Sequence, residues 1–212
     1  MNPDGSNVTY VSSRYNGKPE CPNDLVFDAT GNFYVSDFTG DVTNPTGGVY
    51  FFSSDLLTVK PVVQNLAKAN GISMAPEGNV LWVAETSRNT VLRVQLLQDG
   101  VTVHPLNGAL ITFYSTGQGG TDSNAIDREG NLYQCQVFQG RVVILNSHSI
   151  PIANVVVPGR EKGTNLGTTN LAFKPGTNEA YLVAAQFGQG PGGAWIFTFK
   201  GLAEGLPLFS HR

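Results

Sequence analysis

Pro22-Asn23-Asp24-Leu25-Val26-Phe27-Asp28-Ala29-Thr30-Gly31-Asn32-Phe33-Tyr34-Val35 is the stretch from which the fold is read. It has a polar start, an apolar run, a turn made of Asp, Gly and Asn, and a second run rich in aromatic and β-branched residues. That is the order of a β-hairpin. The same order returns in Ala69-Asn70-Gly71-Ile72-Ser73-Met74-Ala75-Pro76-Glu77-Gly78-Asn79-Val80-Leu81-Trp82-Val83 and in Thr121-Asp122-Ser123-Asn124-Ala125-Ile126-Asp127-Arg128-Glu129-Gly130-Asn131-Leu132-Tyr133. A more degenerate copy is Thr169-Asn170-Leu171-Ala172-Phe173-Lys174-Pro175-Gly176-Thr177-Asn178-Glu179-Ala180-Tyr181-Leu182-Val183. Aligning the leading polar residues Asn23, Asn70, Asp122 and Asn170 gives spacings of 47, 52 and 48 residues. A period of about 40–50 residues with four short strands per unit marks a β-propeller.

Outward from these hairpins, further strand patterns fall at 48–52 and 58–63, at 90–95 and 111–114, at 141–146 and 150–157, and at 194–199. They complete expected blades over 24–63, 72–114, 124–157 and 170–199 of a single domain spanning 1–212. The Gly-Asn pairs at 31–32, 78–79 and 130–131 are expected to supply the positive φ of tight hairpin turns. One strand, Asn7 to Ser12, is expected alone before the first unit. The expected fold is therefore all-β, a β-propeller with about four blades present. Two arrangements stay open: a ring closed by residues 7–12, or part of a larger ring with exposed sheet edges, which would favour self-association.

Composition narrows the class. Charged residues are 14% of the 212, against roughly 25% in an average soluble protein. Glycine occurs 25 times, which suits many tight turns. Apolar residues are spread out, with no run near the ~18 needed for a membrane-spanning helix. A net charge of −3 without a Lys/Arg cluster argues against a nucleic-acid partner. The start, Met1-Asn2-Pro3-Asp4-Gly5, reads as a turn rather than a secretory leader. Cys21 and Cys135 are too few for a disulfide framework and form no Cys-x-x-Cys pair, so both read as buried free thiols, which fits a reducing, cytoplasmic setting.

Several chemistries are excluded by what is missing. His104, His148 and His211 are scattered, and no Gly-x-Ser-x-Gly elbow or His-x-x-x-His pair supports a serine triad or a zinc site. Thr116-Gly117-Gln118-Gly119-Gly120 lacks the Gly-Lys-Ser/Thr ending of a phosphate loop and reads as the connection that presents Asp122. Trp82 and Trp195 read as inter-blade packing, and Asp28, Asp37 and Asp127 as turn and blade scaffold.

Arg14-Tyr15-Asn16-Gly17-Lys18, Asn70-Gly71-Ile72, Leu81-Trp82-Val83-Ala84-Glu85-Thr86 and Val91-Leu92-Arg93, together with the Pro22–Asp28 motif, resemble the senescence-marker-protein/gluconolactonase family. Thr43-Asn44-Pro45-Thr46-Gly47-Gly48-Val49-Tyr50, Val157-Pro158-Gly159-Arg160 and Pro175-Gly176-Thr177-Asn178 are similar to its drug-responsive, calcium-dependent bacterial lactonases. The resemblance implies a six-bladed family fold with one divalent cation near the channel, a small-molecule lactone as substrate, and hydrolysis of that lactone.

Carried over by position, the resemblance implies metal ligands at Asn23, Asn70, Asp122 and Ser123, with Asp122 also as the catalytic proton acceptor. The shared register of Asn23, Asn70 and Asp122 would set all three around one channel end. Mixed carboxylate and amide oxygens suit Ca2+, with other divalent cations as alternatives. A metal-bound carboxylate is a weak base, which favours a water shared between metal and Asp122 as nucleophile. The family's Glu ligand would lie before residue 1, so an N-terminal part of the family domain is expected to be missing and Asp122 is the one clear anionic ligand. Two alternatives stay open: a non-catalytic propeller binding module or inactive remnant, and, for the polar residues themselves, simple capping of turns at strand starts. Asp24 reads equally as a contact to substrate or water and as an Asx turn.

Overall fold

A computed structural model describes residues 4–209 except 9, 11–13, 17, 107 and 188–191. A two-stranded hairpin, β1 (Arg14–Tyr15) and β2 (Lys18–Pro19), precedes the repeats. The first blade is β3 (Pro22–Phe27), β4 (Phe33–Asp37), β5 (Gly47–Phe52) and β6 (Val59–Leu66). The second is β7 (Ala69–Met74), β8 (Val80–Glu85), β9 (Thr90–Gln95) and β10 (Ala109–Tyr114). The third is β11 (Gly120–Ile126), β12 (Leu132–Val137), β13 (Arg141–Leu145) and β14 (Pro151–Val156). A three-stranded fourth follows, β15 (Gly167–Phe173), β16 (Glu179–Ala185) and β17 (Ala194–Lys200).

Within each blade, strands adjacent in sequence pair antiparallel. One pairing, Val137 with Gly167, joins the third and fourth blades at their edges. The first strand of every blade packs on the first strand of the next, β3 on β7, β7 on β11 and β11 on β15. These four strands line the channel of an all-β propeller. The hairpin at 14–19 was not legible in the sequence. Of the expected lone strand at 7–12, Asn7, Val8 and Tyr10 lie outside any strand, and residues 9, 11 and 12 fall outside the described residues.

The core lies between blades rather than within them. Val26, Tyr34, Val49 and Phe51 of the first blade meet Ile72, Leu81, Val83 and Leu92 of the second. Trp82, Val80 and Val91, on the opposite face of the second blade, meet Ile126, Leu132, Val143 and Leu145 of the third. Tyr133, Cys135, Val142 and Ile144 then meet Leu171, Ala180 and Leu182 of the fourth. Both faces of β8 and β12 are thus covered, and every residue in them is buried. This is why Val80-Leu81-Trp82-Val83-Ala84 runs apolar without alternation, whereas the outer strands β10, β14 and β17 are largely exposed. Trp195 on β17 is 45% exposed, so the inter-blade packing expected of both tryptophans holds for Trp82 alone. Both thiols are free; Cys135 is buried as expected, but Cys21 is exposed.

The hairpin turns are longer than a two-residue loop. Asp28 Oδ1 accepts from the backbone N–H of Thr30 and Asn32, and Asp127 Oδ1 accepts from those of Glu129 and Asn131. Gly31 and Gly130 take the left-handed conformation, at φ +88° and +79°, while the following Asn does not. A carboxylate bonded to the turn backbone followed by a left-handed glycine closes the hairpin. Asp127 is fully buried and also accepts from Tyr133 Oη at 3.0 Å, which makes it scaffold. Asp37 accepts from the Cys21 N–H and from Thr39 Oγ1, both at 2.8 Å, in the same role.

Candidate functional site at the channel end

Each channel strand is broken at the same place. In β3 the pairing steps from Pro22–Asp37 to Leu25–Val35. In β7 it steps from Ala69–Glu85 to Ile72–Val83, and in β11 from Thr121–Gln136 to Asn124–Gln134. The inner strand carries one residue more than its partner each time, which is a β-bulge. Bulges re-aim side chains, so two consecutive polar residues can turn to one site where a regular strand would turn only one. The residues inside the bulges are Asn23 and Asp24, Asn70 and Gly71, and Asp122 and Ser123.

Counting back from the hairpin-closing pairs Phe27–Phe33, Met74–Leu81, Ile126–Leu132 and Phe173–Ala180 puts Asn23, Asn70, Asp122 and Thr169 in one layer. Asp24, Gly71, Ser123 and Asn170 form the next. The register read from the sequence holds for the first three blades, but Asn170 is displaced by one. Asn170 stands three residues before Phe173, whereas Asp122 stands four before Ile126, so Thr169 takes the layer position in β15.

Asp122 Oδ1 accepts from the Ser123 N–H at 2.9 Å, and the Asn70 amide lies near enough to favour the charged form of this carboxylate. Gln134 Nε2 donates to the Asp122 carbonyl at 2.8 Å and fixes the bulge. Asn70 is buried; its Nδ2 donates to Thr86 Oγ1 at 3.1 Å, and Thr86 Oγ1 donates to the Thr121 carbonyl at 2.7 Å. Asn70 Oδ1 is buried without a hydrogen-bond partner. Asp24 enters the same place from the first blade. Its Oδ2 accepts from the Ile72 N–H at 3.3 Å and its Oδ1 from the Leu25 N–H at 2.8 Å, and the Ser123 hydroxyl lies near enough to favour its charged form. Asn23 is exposed on the rim beside it. Gly71 has no side chain because a Cβ there would lie 2.6 Å from the Asp122 carbonyl oxygen and from Ser123 Cα.

Burial pushes the Asp24 carboxyl above the ordinary carboxylate value, opposed by the Leu25 and Ile72 N–H groups and the Ser123 hydroxyl. Burial also pushes Asp122 up, opposed by the Ser123 N–H and the Asn70 amide, and the charge of Asp24 adds to the rise. The neighbouring Cys135 thiol is buried and pushed well up, which disqualifies it as a nucleophile.

The structure therefore brings Asn70, Asp122 and Ser123 together, with Asn23 on the same layer at the rim. It adds Asp24, whose Oδ1 accepts from the next N–H and whose Oδ2 reaches the neighbouring blade. Asp24 thus places a second carboxylate beside Asp122, the one anionic ligand expected from the sequence. Among the described residues no three His, Cys, Asp or Glu side chains cluster as a metal site, so amide and hydroxyl oxygens would have to complete any ligand set. The donors fit a hard cation: all are oxygens, two carry charge, and the buried Asn70 Oδ1 lacks a partner. Below the polar layer the channel holds a cavity of about 640 Å3, walled by residues such as Val26, Met74, Ile126 and Leu171. Leu206 and Phe209 close its far end, with Phe209 stacked on Phe27 at 5.5 Å.

The fold and this site define a β-propeller with a ring of oxygen donors at one channel end. The chain matches the SMP-30/Gluconolactonase/LRE-like region over residues 1–186, and it belongs to that family. Lactonase drp35 of Staphylococcus aureus (strain bovine RF122 / ET3-1) is 45% identical over 192 residues, covering 91% of this chain. The chain spans 59% of the length of that relative. Among solved structures, a luciferin-regenerating enzyme superposes with a TM-score of 0.67 at 21% identity, covering 86% of this chain and 64% of its own. Regucalcin, a calcium-binding protein of Agrobacterium tumefaciens str. C58, superposes at 0.62 and 23% identity, covering 77% and 52%. These two likenesses show the fold.

Proposed function

We propose that this chain carries the site of a calcium-dependent lactone hydrolase. The observation that carries the reading is the meeting of Asp24 and Asp122 beside the unpartnered Asn70 Oδ1. A relative named lactonase over nine-tenths of the chain supports it. Asn23, Asn70, Asp122 and Ser123 would hold Ca2+, or another divalent cation of similar taste for oxygen. When bound, the cation supplies Lewis-acid polarisation of a lactone carbonyl.

In hydrolysis, the water oxygen bonds to the lactone carbonyl carbon and the ring C–O bond breaks. The ring oxygen leaves as a hydroxyl, giving a hydroxy acid. One water proton passes to a carboxylate of the site and on to the departing oxygen. Asp122, committed to a cation, is a poor base. Asp24, held in place by the Ile72 and Leu25 N–H groups, accepts the proton while Asp122 orients the water. Gly71 lets β7 and β11 approach closely, and the Gln134 bond fixes the bulge that carries Asp122.

The free thiols are in keeping with a cytoplasmic setting. The exposed Trp195 and Ile196 on the outer strand β17 support self-association through blade edges, to be checked by light scattering.

The test is lactone hydrolysis by pH-stat on the purified chain, with and without excess calcium, beside Asp122→Ala. Calcium-dependent turnover that vanishes in the variant is expected. A folded chain without turnover would instead make it a binding propeller.

A further inference from the structure

The third blade brings two arginines together without an acid. Arg141 opens β13, and Arg160 starts a single 3-10 turn, Arg160–Lys162, after β14. Both close on Gln139, which the β12–β13 turn holds between two left-handed residues, Phe138 at φ +63° and Gly140 at φ +59°. Arg141 Nε donates to Gln139 Oε1 at 2.9 Å, and Arg160 Nε donates to the Gln139 carbonyl. Gln139 Nε2 in turn donates to Ser115 Oγ at 3.2 Å and to the Thr116 carbonyl at 3.1 Å. The scaffold between the arginines is therefore buried and bonded on every side. The Arg160 stem lies over Gly140, where a Cβ would stand 3.0 Å from Arg160 Cγ.

Two like charges gathered on one residue repel. Among the described residues neither arginine forms an ion pair, although Glu161 follows Arg160 in the turn; the acids that pair are Glu85, Glu204 and Glu179, with other partners. Burial, and after it the charge of Arg160, disfavours the charged form of Arg141. Arg141 Nη1 donates to Asn154 Oδ1 at 3.2 Å. That leaves Arg141 Nη2 and both Nη groups of Arg160 without an acceptor among the described residues. Gln136 stands directly opposite Arg141 in the β12–β13 ladder, on the same face. It is fully buried, and neither its Nε2 nor its Oε1 has a hydrogen-bond partner. Buried amides are almost always bonded, so one orphaned on both atoms points to a polar group still to be bound there.

From this we infer that Arg141 and Arg160 form a binding site for a phosphate group, that of inorganic phosphate or of a phosphate monoester. Two guanidinium groups match a dianion better than the single charge of a carboxylate, and the planar fork of arginine suits phosphate oxygens. A phosphate oxygen turned inward would give Gln136 Nε2 the acceptor it lacks. The site is distinct from the channel end, because Asp122 lies on β11, two strands inward from Arg141 on β13. It stands whether or not the chain hydrolyses lactones.

The experiment titrates the purified chain with inorganic phosphate and with phenyl phosphate, in calcium-free buffer that keeps both in solution. The arginine Nε–Hε NMR signals are followed, with acetate at equal ionic strength as the comparison. Both phosphates are expected to shift the Arg141 and Arg160 signals saturably and to leave that of Arg128, in the β11–β12 turn at the opposite end of the blade, unmoved. Acetate should bind at least about tenfold more weakly, the scale of one charge-assisted hydrogen bond. Arg141→Gln and Arg160→Gln should each weaken phosphate binding by about tenfold or more, and Arg128→Gln should not change it. If Arg141→Gln does not fold, Arg160→Gln on the exposed turn decides. Equal binding of the two phosphates supports recognition of the phosphate group alone, and tighter binding of phenyl phosphate supports a monoester. No saturable shift, a shift of equal size at Arg128, acetate bound as tightly as phosphate, or undiminished affinity in the arginine variants would overturn the inference.

Discussion

Asp24 and Ile72 are joined across a blade boundary, the carboxylate Oδ2 of the first blade accepting from the backbone N–H of the second at 3.3 Å. They are 48 residues apart in sequence. The bond puts Asp24 beside Asp122 and Ser123, so the charge of the site comes from two blades at once. Removing either charge leaves the carboxylate shape in place, which allows their roles to be separated.

Asp122→Asn should abolish both calcium binding and turnover, since it removes the charged ligand next to Asn70. Asp24→Asn should retain measurable calcium binding but lower kcat by about 10²–10⁴, the usual contribution of a positioned proton acceptor. Calorimetric calcium titration of both variants, with pH-stat turnover, checks the division. Equal loss of binding in the two would make Asp24 a ligand rather than a base.

Gly71→Ala tests the spacing of the site without touching any polar group. The added methyl would meet the Asp122 carbonyl oxygen and Ser123 Cα at 2.6 Å, and both are backbone atoms that cannot rotate away. β7 and β11 must separate, at a cost of about 1–3 kcal/mol typical of overpacking. Turnover should fall further than stability does, because Asn70 and Asp122 lie on the two strands being pushed apart. Urea unfolding and calcium titration of the variant give both quantities.

The repeat was legible because it is a local pattern. Asp28 and Asp127 with Gly31 and Gly130 announce their hairpins, and the apolar runs of β8 and β12 announce strands buried on both faces. The layer of Asn23, Asn70 and Asp122 followed from the period alone. The bulges did not, since an extra residue in one strand shows only against its partner. For that reason Asp24 reads as much as a turn residue as a site residue, while the match of Thr169-Asn170 to Thr121-Asp122 draws Asn170 one position off. The adjacency of polar pairs, Asn23-Asp24 and Asp122-Ser123, was the signal available. Thr86 and Phe138 carried none, because what matters about each is a contact to another blade or a backbone conformation.

Glu85 holds the first and second blades together. The carboxylate is 1% exposed and accepts from the Ala67 N–H and Arg88 Nη1, both at 2.7 Å, and from Thr90 Oγ1 at 2.9 Å. Glu85→Ala leaves a buried N–H and hydroxyl without their acceptor and frees the arginine. The expected loss is about 3 kcal/mol, at the lower end for a broken buried pair because Arg88 is 34% exposed. Arg88→Ala should cost about 1 kcal/mol, since the Ala67 and Thr90 bonds to the carboxylate persist. Chemical denaturation of the two variants tests the ranking.

The loop carrying Gly100 ties the second blade to the first, because the Gly100 carbonyl accepts from Tyr34 Oη at 2.7 Å. Asp99 shapes that loop. Its Oδ1 accepts from the N–H groups of Val101 and Thr102 at 3.0 and 2.8 Å, and the Thr102 hydroxyl bonds to Oδ2. The hydroxyl bond, then those of the two N–H groups, hold the carboxyl down from 3.8 to about 2. A value lower in the folded than in the unfolded chain adds stability above the unfolded value and loses it as pH falls through the folded one. The loop should therefore loosen between pH 4 and about 2, not near neutrality. NMR titration of the Asp99 carboxyl should give a midpoint near 2, with exchange of the Val101 and Thr102 amides rising over the same range. Asp99→Asn should remove that pH dependence of exchange, and a midpoint at the ordinary carboxylate value would show that the loop bonds do not form in solution.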